Sequence, residues 1–461
     1  MPDIYGILNV GRGALLVQQQ AIDITGHNIA NVNTPGYSRQ RVDMESNEPI
    51  SLWPGQMGTG VRATEIQRIY DRFLALQINN ENQQLGRWEA QKGALERVEM
   101  IFDESSEYGL NQAMSEFWNA WQDLAGNPSG QAERVVLLAK SETLTTTFNQ
   151  IYSALEQIQK DIDTSIEGTI KEINLIAEQI ADLNQKIARA EAGRLNANDY
   201  RDRRDLLLKQ LSSMIDINNF EDSDGKVTIL VGGGKPLVEA TSSWKLSTER
   251  NASGLQDIVW INSDGNSGNI TDNISGGKLK GWLETRDVII PEYLERLNEL
   301  AGSIISRVNA LHSGGYGLDG STGNDFFTGT SASDIAVNSE IVNDVKKIAA
   351  AESAGGVPGD NSNAIAIANL QNELAIHNTA TFDSYYNSLV SDVGNEVRKA
   401  HVTFEHQSAM ITHLDNYRES LSGVSLDEEM INLIKFQHAY EAAAKLIGTV
   451  DELLNTVINM V

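Results

Sequence analysis

The stretch LIKFQHAYEAAAKLIGTVDELLNTVINMV, residues 433–461, decides the fold. Within it Leu433, Phe436, Tyr440, Ala443, Ile447, Val450, Leu454, Val457 and Val461 follow one another at alternating spacings of three and four. That is an unbroken a/d heptad seam, and a seam wants a partner helix. Each large apolar residue gains roughly 1.5–3 kcal/mol on burial, whereas a lone helix of this length is marginal in water. The other end of the chain offers the partner. Ile4, Leu8, Gly11, Leu15, Gln18, Ile22, Thr25 and Ile29 keep the same alternation, with one strong column (Leu8, Leu15, Ile22, Ile29) and one small or polar column. Such a lopsided seam suits terminal helices that pair with each other and then pack sideways against further copies. The alternative is a pair of helices that simply closes a monomeric bundle.

Composition narrows the function classes. A chain of 461 residues has room for two to four domains. A formal charge of -27 speaks against nucleic acid and anionic membranes as partners, because phosphate binding needs a basic face. The absence of cysteine removes disulfides and thiol nucleophiles and leaves any zinc to histidine and carboxylates. The first residues lack the features of a cleaved secretory signal, and no run of eighteen apolar residues predicts a membrane span.

Between the termini the pattern predicts a rod. Pro35 and Gly36 end the first helix near Asn31. Residues 41–65 hold Pro49, Pro54, Gly55, Gly58 and Gly60, and read as irregular chain or a loose hairpin. Helical periodicity returns over 66–102 and 110–124, the latter with Phe117, Trp118 and Trp121. An isoleucine-rich seam then runs from Leu144 to Ile187, which at 1.5 Å per residue spans about 65 Å. Short apolar runs separated by Gly and Asp pairs predict about 60 residues of antiparallel β structure beyond Ile217, ending near Gly276 and Gly277. Helices follow over 281–311, 364–370 and 382–421. The expected fold is mainly α: an elongated long-helix bundle, paired N- and C-terminal coiled-coil helices and one small inserted antiparallel β domain. The expected division is 1–40 with 412–461 as the terminal coiled-coil domain, 41–216 with 278–411 as the helical rod, and 217–277 as the β insertion.

Four clusters invite a chemical reading and lose it. Gly232-Gly233-Gly234-Lys235 is followed by Pro236 and flanked by strands, so it reads as a hairpin turn rather than a phosphate loop. Asp222, Asp224 and Gly225 open like a calcium loop, but the twelfth position is Gly233 where a bidentate Glu is needed. His401 and His406 are five apart, which separates them by about 140° on a helix, so they do not make a zinc pair with Glu405. Arg201, Arg203 and Arg204 alternate with Asp199, Asp202 and Asp205 and read as a salt-bridged helix face. None of these predicts an enzyme, a cofactor or a metal.

Asn28-Ile-Ala-Asn31-x-x-Thr34-Pro35-Gly36-Tyr37 resembles the N-terminal signature of bacterial flagellar rod, hook and hook-associated proteins. Ser38-Arg39-Gln40 narrows the resemblance toward the hook-filament junction members, and similar stretches recur over nearly the whole chain, among them Val308-Asn-Ala-Leu-His312 and Gly423 to Glu429. The resemblance implies a structural subunit exported by the flagellar type III apparatus and located in the extracellular flagellum. It further implies a ring of copies as partners, with the hook protein, the second junction protein and an export chaperone beside them. Many members carry a further outer domain, whereas a single β insertion is expected here, and Val345 stands where a Pro is expected. A hook or rod subunit, and a surface adhesin using the β insertion, are the rival readings.

Overall fold

The computed structural model describes residues 4–53, 55–103, 109–193, 195–262 and 264–459, without the side chains of Ile4 and Leu52. Helix α1 (Ile4–Ala30) leads into strands β1 (Gln40–Ser46), β2 (Ile50–Leu52), β3 (Gly55–Met57) and β4 (Val61–Arg68). Helices α2 (Arg72–Ile101), α3 (Leu110–Gly126), α4 (Gln131–Glu191) and α5 (Asn198–Met214) follow. Strands β5 (Asn218–Glu221), β6 (Val227–Val231), β7 (Lys235–Glu239), β8 (Ser242–Ser243), β9 (Lys245–Arg250), β10 (Gln256–Ile261) and β11 (Ser267–Asn269) interrupt the helices. These resume as α6 (Gly277–Glu284) and α7 (Ile290–His312). Short strands β12 (Tyr316–Gly317), β13 (Phe327–Thr328), β14 (Ala336–Val337) and β15 (Ala349–Ala351), with helices α8 (Ser339–Asn343) and α9 (Ser362–Asn369), precede α10 (Phe382–Ser422) and α11 (Leu426–Ile458). The fold is mainly α, with long helices and a small sheet region.

Two boundaries differ from the sequence expectation. The apolar run from Ile66 does not begin a helix, because residues 61–68 pair with β1 and Asp71 caps α2, its carboxylate accepting from the amides of Phe73 and Leu74. Residues 41–65, read as irregular chain or a loose hairpin, form one ordered antiparallel ribbon. Gln40–Ser46 pairs with Val61–Arg68, the Asn47 amide donates to the Gly60 carbonyl at 2.8 Å, and Ile50–Leu52 pairs with Gly55–Met57. Helix α4 also begins earlier, at Gln131, and its 61 residues extend about 90 Å. Its first turns are held by buried Leu137 and by Arg134, whose guanidinium donates to the carbonyls of Pro128 (2.7 Å) and Ile348 (2.5 Å).

The isoleucine seam of α4 is buried along its length and forms one core with α3, α7, α10 and the β strands. Helix α10 lies along α2, and α3 packs between α4 and α9. Phe117, Trp118 and Trp121 of α3 meet Phe326, Phe327, His312 and Phe382, with Trp118 stacked on Phe382 at 5.6 Å. The strands of the insertion, β5 to β11, form two sheets, ordered β5-β6-β7-β8 and β11-β10-β9. Their buried Ile229, Val231, Leu237, Leu246 and Ile258 belong to the same core as the rod, so the insertion is not an independent globule.

Polar side chains of α4 hold these sheets by their backbone. Asn184 donates to the carbonyls of Val227 and Ala240 and accepts from the Val227 amide. Asn174 donates to the Leu246 carbonyl and accepts from its amide, both at 2.8 Å. Asp163 accepts from the Gln256 amide at 2.9 Å. A π-helical turn, Thr285–Ile289, buries Arg286, which reaches Asp163 (2.6 Å) and the Gln256 carbonyl (2.8 Å). The Gly232 to Gly234 run, at φ 48°, 77° and 94°, is the β6–β7 hairpin turn that its flanks predict.

His312 sits fully buried at the centre of the aromatic cluster. Its Nδ1 bonds the Asn324 carbonyl at 2.7 Å, and its Nε2 accepts from the Ala349 amide at 2.9 Å. Burial pushes its pKa down to about 4. The unfolded chain therefore takes up a proton near pH 6.5 that the native protein refuses until about pH 4. Stability present above pH 6.5 is lost as pH falls through this window, by about 3 kcal/mol from this residue. Urea unfolding at pH 7 and pH 4.5 should show a smaller drop in His312→Gln than in the parent chain. Equal drops would remove His312 from the account.

Candidate assembly surface

Helices α1 and α11 pack against each other, but the strong column of α1 is not the buried one. Gly11, Ala21, Thr25 and Asn28 are buried, while Leu8, Leu15, Ile22 and Ile29 are only half-buried. The reason is distance. A Cβ on Gly11 would stand 2.8 Å from Ile447 Cγ1, so small residues bring the two backbones close and leave the leucines and isoleucines on the flank. On α11, Ala443 and Val450 are buried, Leu433, Phe436, Ile447 and Leu454 half-buried, and Tyr440 and Val457 exposed. Val461 lies outside the described residues. Outside the seam, Ile431, Ile434, Leu446, Leu453 and Ile458 of α11 face solvent at positions spread round the helix, and Leu16 of α1 is exposed as well.

The Asn28 to Tyr37 motif builds the joint beneath this pair. Asn28 is buried and uses its whole amide: Nδ2 donates to the Gln40 carbonyl and to Glu429 Oε2, both at 2.9 Å, and Oδ1 accepts from Tyr37 Oη (2.8 Å) and the Gln40 amide (3.0 Å). Asn31 closes the end of α1, donating to the His27 carbonyl at 3.0 Å and accepting from Thr34 Oγ1 at 3.0 Å. Thr34 and Pro35 are exposed in the turn. Gly36 takes φ 79°, and a Cβ there would press on Leu206 of α5 at 3.2 Å. The Tyr37 ring meets His27 edge to face at 5.6 Å. Burial, reinforced by the charges of Asp199, Asp202 and Glu429, raises the Tyr37 pKa and keeps the phenol protonated as the donor Asn28 needs.

Residues that sequence reasoning left aside complete the joint. Glu429 is only 2% exposed, and Arg39 reaches it through Nε at 2.7 Å and reaches Glu428 through Nη1 at 2.8 Å. Asp202 accepts from the Ser38 amide at 2.8 Å and from Arg68 Nη1 at 2.7 Å, and Arg68 also meets Asp205 at 2.6 Å. Asp199 accepts from Gln40 Nε2 at 2.7 Å. One signal was legible: Glu429 falls four residues before Leu433, on the seam's own rhythm, where an acid needs a buried cation.

The acidic and basic residues of α5 do not pair along their own helix. Arg201 bonds Glu191 and Glu221, and Arg204 bonds Glu221, Asn184 and the Gly225 carbonyl, so they fasten α5 to α4 and β5. Arg203 faces solvent. Asp222 caps its own turn, accepting from the amides of Asp224 and Lys226. Among the described residues no cluster of histidine and carboxylates has metal-binding geometry, and no helix is long and apolar enough to cross a membrane.

Comparison with known proteins converges on one group. The family model for the flagellar hook-associated protein FlgK helical domain matches residues 95–327, that for the flagella basal body rod protein matches 8–37, and that for the flagellar basal body rod FlgEFG protein C-terminal region matches 418–460. Flagellar hook-associated protein 1 of Bacillus subtilis is 32% identical over 98% of this chain and 97% of its own length. Its Escherichia coli counterpart is 25% identical over 98% and 99%. These alignments run over 503 and 544 positions, more than the 461 residues here, so the relatives carry inserted segments that this chain lacks. The solved structure of the flagellar hook junction protein FlgK from Burkholderia pseudomallei shares the fold with a TM-score of 0.68 at 15% identity, covering 75% of this chain and all of that one.

Removing one member of the buried joint should loosen the termini and spare the rod. Glu429→Ala removes one partner each from Asn28 and Arg39, which keep Gln40 and Glu428, and is expected to lower the opening free energy of α1 and α11 by roughly 1–3 kcal/mol. Hydrogen exchange followed by mass spectrometry reads this as faster exchange in α1 and α11 with α4 unchanged. Equal acceleration in α4, or none in α1, would show that the joint does not couple the two parts in this way.

Proposed function

The chain belongs to the flagellar hook-associated protein 1 family, and on that premise we propose that this structural component of the flagellum is the subunit joining hook to filament. It is a non-catalytic building block, secreted through the flagellar type III route and assembled as a ring outside the cell. Its terminal helices fold together and stack against neighbouring copies, and it couples a curved hook to a stiffer filament. The neighbours along the axis are the hook protein on one side and the second junction protein on the other, with an export chaperone acting before assembly.

The observation that carries this reading is the amount of apolar surface that α11 leaves exposed. Ile431, Ile434, Leu446, Leu453 and Ile458 face solvent on a helix that packs against α1, and Tyr440 and Val457 of its seam are exposed too. Each offers roughly 1.5–3 kcal/mol to a neighbour that buries it. Leu8, Leu15, Ile22 and Ile29, half-buried on the flank of α1, extend the same surface. Within this reading the terminal unit comprises α1, the β1–β4 ribbon and α11, and the rod comprises α2 to α10 with the β insertion of 217–277. We draw the boundary at Gly423 to Ser425 rather than at 412, because α10 runs unbroken to Ser422 and its Leu414 packs with Leu74 and Ile78 of α2.

Limited proteolysis of the monomer, mapped by mass spectrometry, should remove the first and last forty or so residues before it cuts α4. A chain lacking 454–461 should keep the melting temperature of the rod yet be absent from isolated hook-filament structures, leaving cells without attached filaments. Termini as resistant as α4, or normal filament attachment by the truncated chain, would overturn the proposal.

A further inference from the structure

The β1–β4 ribbon ends in an exposed indole. Trp53 lies in the turn between β2 and β3 and is 97% exposed, and Ile50 and Met57, paired across the ribbon, face solvent beside it. A two-stranded ribbon bearing three large apolar side chains in water is a poor structure by itself. Its base is nonetheless fixed. A Cβ on Gly60 would stand 3.3 Å from the Val10 backbone, and one on Gly13 would stand 3.1 Å from the Val61 carbonyl, so the ribbon leaves α1 at a set place.

The same terminal unit holds an unfilled groove of about 280 Å³ between α1, β1 and α11. Ala21, Ile24, Val42 and Phe436 give it apolar walls, Asn432 supplies a polar group for an indole N–H, and Arg41, ion-paired with Asp43 at 3.2 Å, stands at its edge. Charge agrees with this pairing. Asp43 and Glu45 of the ribbon are paired with Arg41 and Arg62, so the exposed Glu48 is the acid that the ribbon brings toward the groove's Arg39 and Arg41, which now meet Glu428, Glu429 and Asp43. From Val42 to Ile50 the ribbon covers roughly 25 Å at about 3.3 Å per residue, so the tip does not reach its own groove.

We propose that Trp53 at the ribbon tip seats in the groove between α1, β1 and α11 of a second copy of this chain. Tip and groove are different places on one molecule, so the contact is head to tail and repeats from copy to copy until a ring or helix closes. The proposal rests on the assembly reading given above and adds the directional contact that the terminal helices by themselves do not specify.

The chain has no cysteine, so introduced thiols report cleanly. Trp53→Cys and Asn432→Cys chains, tagged to differ in size and expressed together, should yield a mixed disulfide dimer in oxidised hook-filament preparations and none when either is expressed alone. Trp53→Ala should keep the monomer's melting temperature and lose incorporation by roughly tenfold or more, with Trp53→Phe retaining more of it. If both cysteine chains are incorporated and the mixed dimer is absent, or if Trp53→Ala assembles normally, this contact is wrong and the assembly reading stands. A photo-reactive side chain at position 53 that links to a different flagellar component would likewise overturn it. If the unmodified chain is itself missing from hook-filament preparations, the assembly reading fails first.

Discussion

A carboxylate withdrawn from water has to be answered at once by charge and hydrogen bonds, and Glu429 is the place where this chain accepts that constraint. An uncompensated buried charge costs several kcal/mol. Arg39 and Asn28 answer it from two sides, and neither lies near Glu429 in sequence. Asn28 is positioned only because α1 is helical, and Arg39 only because the Thr34 to Tyr37 turn reverses the chain. The carboxylate can be satisfied only when both ends of a 461-residue chain have come together. Asp202 repeats the logic one layer down, tying the same turn to α5 through the Ser38 amide and Arg68. The terminal helices are thus clamped at their base and left open along their length.

A second constraint fixes the β insertion. Sheet edges present amide and carbonyl groups that need partners. Asn184, Asn174 and Asp163 supply them from one face of α4 at intervals of ten and eleven residues, close to three helical turns. An amide that both donates to and accepts from one residue, as Asn174 does with Leu246, replaces a neighbouring strand. The insertion is therefore mounted on the rod by hydrogen bonds as well as by its shared apolar core, and Arg286 closes the far corner through the π-helical turn.

Periodicity made the long elements legible. The isoleucines of α4 and the seam of α11 repeat without interruption, and no tertiary contact is needed to read them. The ribbon of residues 40–68 is only half legible, as one of two readings, irregular chain or a loose hairpin, because its strands are short and Pro49, Gly58 and Gly60 look like breakers when the partner strand is out of view. Nor did the α1 pattern disclose which column faces inward. Apolar size argues for Leu8, Leu15, Ile22 and Ile29, but the close approach of two backbones selects Gly11, Ala21 and Thr25 instead. In the joint, motif resemblance pointed to Asn28 and Tyr37, while Asp199 and Asp202 were hidden inside an alternating charge pattern that reads as solvated. A charge run discloses its composition in sequence, and its partners only in space.

Leaving an apolar flank open has a consequence for when assembly starts. A neighbour that covered five exposed apolar residues of the terminal helices, at roughly 2 kcal/mol each, would gain on the order of 10 kcal/mol before losses. Bringing two free molecules together costs about 4–15 kcal/mol in lost motion alone. Two copies each carrying a formal charge of -27 also repel until salt screens them. A single pairwise contact of this size therefore barely balances that cost. A template that presents several surfaces at once changes the balance, since the loss of motion is incurred once while each added surface contributes its own burial. On the assembly reading proposed above, such a pair is insufficient alone and sufficient in company, and the ties of Asp202 and Asp205 to Ser38 and Arg68 connect its base to α5.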